Sequence, residues 1–335
     1  MKISGPFYWR EASLCVPALP ILFIAGFAAG VPILGAVAAG AAYAVGFGAA
    51  RGLLGRRWGA IIAATVGMSV ATFVGSVSGG VVPVQIVLAG AAAAGCAALA
   101  LYNEDLWWVS LQVVIALLVA STYPGSFAAG VHRAAAVLVG GTTQTLVAVL
   151  LARIFPAIGG VLPASPPPTE PTRRLLFSHM ARAAICVVAA LIIARAAGLA
   201  NSYWAPMTAL LILKPGLHET RTRGLSRLGG TVLGCLIATA YAAIVDFSPP
   251  LVLAGVALAA GLSYATQKAH YAVLTCAITA TVVLLVSLGT SAVLANAQHR
   301  LIATAIGGIV ALVVAQIAPH RAALNSGAAD RVGAG

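Results

Sequence analysis

The stretch NSYWAPMTALLILKPGLHETRTRGLSRLGGTVLG, Asn201 to Gly234, decides how this chain is read. Its apolar run from Tyr203 to Leu213 holds 11 residues. As a helix that is roughly 16 Å, about half of a ~30 Å hydrocarbon core. Lys214, Pro215 and Gly216 forbid simple continuation. Arg221, Arg223 and Arg227 follow before the chain turns apolar again. A segment too short to span must have an end recessed in protein, because irregular backbone inside a membrane survives only against protein or a water-filled cavity. Asn201-Ser202 fits a helix cap, with Pro206 in the first turn, where its missing N–H costs nothing. A recessed helix start offers free N–H groups and a positive dipole end to an anion.

The rest of the chain supplies the membrane. Of 335 residues, 61% are hydrophobic and 8% charged, against about 25% charged in a soluble domain. Apolar segments fall near 12–29, 31–50, 58–78, 81–101, 106–122 and 132–155, and again near 179–197, 203–213, 225–245, 249–264, 269–288 and 299–318. Between the sets, FPAIGGVLPASPPPTEPTRR reads as an exposed proline-rich linker. With the N-terminus inside, only Arg133, Arg195 and Arg300 of the 19 Lys and Arg fall outside. Both termini are therefore expected in the cytoplasm. The basic residues behind the net charge of +12 sit singly or in small groups between apolar runs, which fits membrane orientation better than a nucleic-acid footprint. The five cysteines lie in apolar segments with no CxxC pair and read as packing residues.

HRAAAVLVGG begins at His132 and HRLIATAIGG at His299, both H-R-x6-G-G, 167 positions apart. The spacing predicts an all-α polytopic membrane protein of about twelve transmembrane helices. They form two six-helix repeats related by a pseudo-twofold axis along the membrane normal. The expected division is a first repeat over 1–155, a cytoplasmic linker over 156–178, a second repeat over 179–320 and a short cytoplasmic tail over 321–335.

None of the seven carboxylates falls in mid-span, as a proton-relay Asp or Glu would. GxxxxGK[ST], HExxH and GxSxG are all missing, and no Cys/His cluster occurs. That argues against an enzyme, a metal site or a cofactor. What remains is cationic. Arg133 and Arg300 start the sixth span of each repeat, with Gly140 and Gly307 two turns deeper on nearly the same face. Either they mark an anion path or they snorkel to water. His132 and His299 are expected at helix starts and are the candidate proton carriers beside them. Tyr203 and Trp204 either stack an aromatic substrate or anchor the interface. Together with Ser202 and Arg195 they complete the candidate substrate-binding set. Lys214, Arg221, Arg223 and Arg227 either line a cytoplasmic anion entrance or only set topology and hold lipid headgroups.

The residues Tyr203, Trp204, Pro206, Pro215, Arg221, Arg227, Gly230, Thr231 and Gly234 give this stretch a resemblance to the fusaric acid resistance protein-like, or aromatic acid exporter, family. The similarity runs from Arg182 to Pro319 and weakens in the first half, where Pro32, Arg57 and His132-Arg133 match. The resemblance implies an inner-membrane exporter of organic or aromatic acids, distantly like plant aluminium-activated malate channels, whose six-span subunits pair around a basic pore. Unlike many members, this chain is expected to lack a large cytoplasmic domain, its linker and C-terminal tail both being short. The expected function is outward transport of organic and aromatic acid anions along a cationic path between the repeats. A passive anion channel and a non-transporting scaffold are the alternatives. The expected partners are small organic anions and the lipid bilayer, with a homo-oligomer or a separate accessory protein left open.

Overall fold

A computed structural model describes residues 7–53, 55–156, 170–268, 270–290 and 293–317. Most of the linker and the whole C-terminal tail lie outside the described residues. The described chain is helical. The first half comprises α1 (Trp9–Cys15), α2 (Ala18–Ala28), α3 (Pro32–Gly46), α4 (Gly59–Ser78), α5 (Val82–Tyr102), α6 (Glu104–Thr122) and α7 (Phe127–Ile154). The second comprises α8 (Arg173–Ala196), α9 (Trp204–Ile212), α10 (Leu217–Ile244), α11 (Pro249–Ala265), α12 (Tyr271–Thr290) and α13 (Val293–Ile317).

Among the described residues, ten helices are long and apolar enough to cross a membrane, counting α1 and α2 as one run from Trp9 to Ala28. Pro17 stands at the joint of that run and cannot donate the helical hydrogen bond there. Of the remaining two, α9 has 9 residues and α11 has 17. Local chemistry sets several ends. The Asn103 side chain accepts from Asp105 N at 2.9 Å and Leu106 N at 3.0 Å, opening α6. Gly30 and Gly198 close α2 and α8 at φ +73° and +66°, conformations that glycine adopts without a Cβ penalty.

Four helices start earlier than expected. α7 begins at Phe127, α8 at Arg173, α10 at Leu217 and α13 at Val293. The polar and basic residues at these points do not end the helices but are carried within them. His132-Arg133 and His299-Arg300 therefore sit inside helices rather than at their starts. Arg221, Arg223 and Arg227 belong to α10 rather than to a loop.

In the first half α4 packs on α6 and α7, and α7 on α3. In the second α10 packs on α12 and α13, and α13 on α9. The halves meet where α5 packs on α8 and α1 on α11. Two buried apolar clusters bridge that seam. One joins α1–α4, α6 and α7 to α10–α13, and the other joins α5 and α6 to α8, α9 and α13. Glycines permit two of the closest crossings: a methyl group on Gly140 would collide with the Ala38 carbonyl, and one on Gly307 with the Ala205 carbonyl.

Candidate functional site

The site grows from α9. Every residue from Asn201 to Leu210 is buried, so the start of the short helix lies inside protein. The details differ from the sequence expectation. The N-cap is Tyr203, with no side-chain cap bond. Trp204 N donates to Asn201 O at 3.1 Å and Ala205 N to Ser202 O at 3.3 Å. Pro206 has no N–H, and Met207 N is taken by Tyr203 O at 3.2 Å. The first turn therefore has no free N–H left for an anion. The Asn201 side chain is not a cap either, since it accepts from the Tyr123 hydroxyl of the first half at 2.5 Å.

Arg300 supplies the charge. It is only 1% exposed, and its guanidinium lies over the Trp204 ring at 4.9 Å. Nε and Nη1 have no hydrogen-bond partner. The ion pairs among the described residues join Arg51 to Glu104 and Asp105, each at 3.2 Å, and neither involves Arg300. A buried cation without a carboxylate costs several kcal/mol. The aromatic face returns about 2 kcal/mol.

Arg133 occupies the matching sequence position but has a different setting. Half-buried, it donates to the Tyr123 carbonyl and, at 3.4 Å, to Ser76 Oγ. Its first role is to satisfy backbone at the end of α6. An aromatic run nevertheless links the two arginines. Tyr123, whose carbonyl holds Arg133, lies 6.4 Å from the Tyr203 ring. Tyr203 lies 5.5 Å from Trp204, which carries Arg300. Arg195 is exposed and donates to Gln85, whose amide donates to Ser121 Oγ at 2.8 Å. His132 is exposed and His299 half-buried.

At the other end of α9 the cations are tied to the chain. Arg182 donates to the Pro215 carbonyl at 3.0 Å and the Lys214 carbonyl at 3.4 Å. Arg223 Nε donates to Leu211 O at 3.0 Å and lies over the Tyr271 ring at 4.1 Å. These contacts satisfy carbonyls at the C-terminal end of α9, where cations are favoured. Lys214 sits over the Trp107 ring at 4.8 Å. Burial, and then the neighbouring Arg223, push its ammonium down to about 8. It borders a cavity of about 50 Å³ with Trp107, Cys96 and His179. Arg221 is exposed. Arg227 is 3% exposed and donates to the Tyr271 hydroxyl at 3.3 Å.

Sequence reasoning singled out Arg300, Tyr203 and Trp204, which the fold brings together. It missed Tyr123, Gln85 and Tyr271, whose roles depend on neighbours distant in sequence. Residues 188–314 match the model of the fusaric acid resistance protein-like family. No curated protein and no solved structure matches the chain significantly. The matched segment contains α9, α10 and most of α13, and so Tyr203, Trp204, Arg227 and Arg300. Together with the ten apolar, membrane-length helices among the described residues, this similarity points to a multi-pass membrane protein.

Proposed function

We propose that the chain exports organic-acid anions, aromatic acids among them, across the inner membrane, with both termini in the cytoplasm. Its architecture is twelve crossings in two six-helix repeats about a pseudo-twofold axis along the membrane normal. Constant offsets support the duplication. Gly30 and Gly198 close matching helices 168 positions apart. The Gly140–Ala38 and Gly307–Ala205 crossings are 167 apart at both residues, as are Arg133 and Arg300.

The observation that carries the reading is Arg300, a buried fixed cation resting on Trp204 with no carboxylate bonded to it among the described residues. Folding a chain around such a charge is costly unless a negative solute arrives to use it. In this reading Arg300 holds the substrate carboxylate, and Trp204 and Tyr203 contact the ring or alkyl body. Arg133, Arg195 and Ser202 form the outward mouth where the halves meet. Lys214, Arg221, Arg223 and Arg227 attract anions at the cytoplasmic side, and His132 and His299 exchange protons. The test is benzoate efflux from proteoliposomes. Arg300→Gln is expected to abolish the flux, with Arg300→Lys retaining part of it. Unchanged flux in folded Arg300→Gln protein refutes the assignment.

A further inference from the structure

Three helices of the second half carry buried polar residues at four-residue intervals, which places each set on one helix face. On α12 these are Thr275, Thr279 and Ser287, with the half-buried Tyr271 one turn before them on the same face. On α13 they are Asn296, Arg300 and Thr304, with exposures of 7%, 1% and 2%. On α10 they are Arg227 and Thr231. The faces meet. Thr275 packs against Gly230 and Thr279 against Gly234. Arg227 bonds the Tyr271 hydroxyl at 3.3 Å, and Asn296 bonds Ser287 Oγ at 3.5 Å. From Tyr271 to Ser287 the stripe rises about 24 Å along α12, most of a ~30 Å hydrocarbon core.

A buried helical threonine ordinarily donates to the carbonyl four residues back. Thr281 does so to Ala277 O at 2.8 Å, and Ser287 to Val283 O at 2.6 Å. The hydroxyls of Thr231, Thr279 and Thr304 have no partner, nor do Arg227 Nε, Arg300 Nε and Arg300 Nη1. Buried polar atoms left this way cost stability unless a ligand uses them. Arg227 also stands within electrostatic range of Arg300, and neither joins an ion pair among the described residues, so two like charges share the stripe. The seam between the halves, by contrast, is packed on both flanks by apolar clusters.

We propose that Arg227, Tyr271, Thr231 and Thr279 form a second anion subsite between α10, α12 and α13, in series with Arg300 and on its cytoplasmic side. The anion reaches Arg300 through the interior of the second six-helix unit and not along the seam. The subsite takes the carboxylate group alone, because its hydroxyls and guanidinium are donors and the face of its one ring, Tyr271, is already covered by Arg223 at 4.1 Å. It rests on the transport reading above and adds an ordered route to it.

The test measures benzoate flux in proteoliposomes over a range of benzoate concentrations. Arg227→Gln and the double variant Thr231→Val, Thr279→Val are each expected to raise the half-saturating concentration about tenfold, with Arg227→Lys restoring most of the difference. Should Arg227→Gln fail to fold, the near-isosteric Val variants and Arg227→Lys still decide. A wild-type protein that carries benzoate while folded Arg227→Gln and the Val pair match it in half-saturation and rate overturns the subsite but not transport. A wild-type protein with no flux of benzoate or aliphatic acids overturns the transport reading, and the subsite with it.

Discussion

Replacing Arg300 with Met should make the protein more stable while destroying its transport. Arg300 is 1% exposed, so its charge is removed from water at a cost of several kcal/mol after relaxation. Against this stands the Trp204 face at 4.9 Å, worth about 2 kcal/mol when desolvated. Arg227 adds repulsion on the unfavourable side. Met fills much of the same stem volume and carries no charge, so the net gain is about 2 kcal/mol. For 335 residues, an unfolding entropy of about 2.1 cal/mol/K per residue totals about 0.7 kcal/mol/K. The expected rise in Tm is therefore about 3 °C, read in detergent at one fixed scan rate because such unfolding is often irreversible. Benzoate at about a hundred times its Kd should add roughly 2.7 kcal/mol to the wild type, about 4 °C, and nothing to Arg300→Met. A Met variant that melts below the wild type refutes the reasoning, because Arg300 would then be a structural residue satisfied by its surroundings.

Two other perturbations test the frame around the site. Lys214, held at about 8 against about 10.4 when unfolded, binds fewer protons folded than unfolded between those values. Wild-type stability should therefore rise as pH passes from 8 toward 10, and be insensitive to this group below 8. The Tm advantage of Lys214→Met at pH 7 should shrink by pH 10, and a gap that stays constant across that range contradicts the buried ammonium. A methyl on Gly307 meets the Ala205 backbone carbonyl, whereas one on Gly229 meets nothing within 4 Å. Gly307→Ala should thus lose about 1–3 kcal/mol or more and Gly229→Ala gain up to about 1 kcal/mol, both measured by thermal melting. A Gly307→Ala protein as stable as the wild type would rule out the close α9–α13 crossing.

How much of this was legible beforehand depends on which physics sets each feature. The apolar runs gave the helices, because burying unpaired backbone in hydrocarbon leaves few alternatives to a helix. The runs misplaced four helix starts, since a helix can extend past the apolar boundary while its side chains meet polar neighbours. His132-Arg133, His299-Arg300 and the α10 arginines were all displaced for that reason. The Asn201-Ser202 cap failed because the Asn201 side chain found Tyr123, while the Asn201 and Ser202 carbonyls took the N–H groups of the first turn.

The repeated H-R-x6-G-G motif shows the division most clearly. Spacing alone determined that Arg133 and Arg300 would lie two turns from a glycine on one helix face, because helical periodicity is local. Only the tertiary structure decided that Arg133 would end on the Tyr123 carbonyl and Arg300 on the Trp204 ring. The same two residues in the same local geometry meet different neighbours, and a charge takes its energy, and so its use, from whatever the fold packs against it.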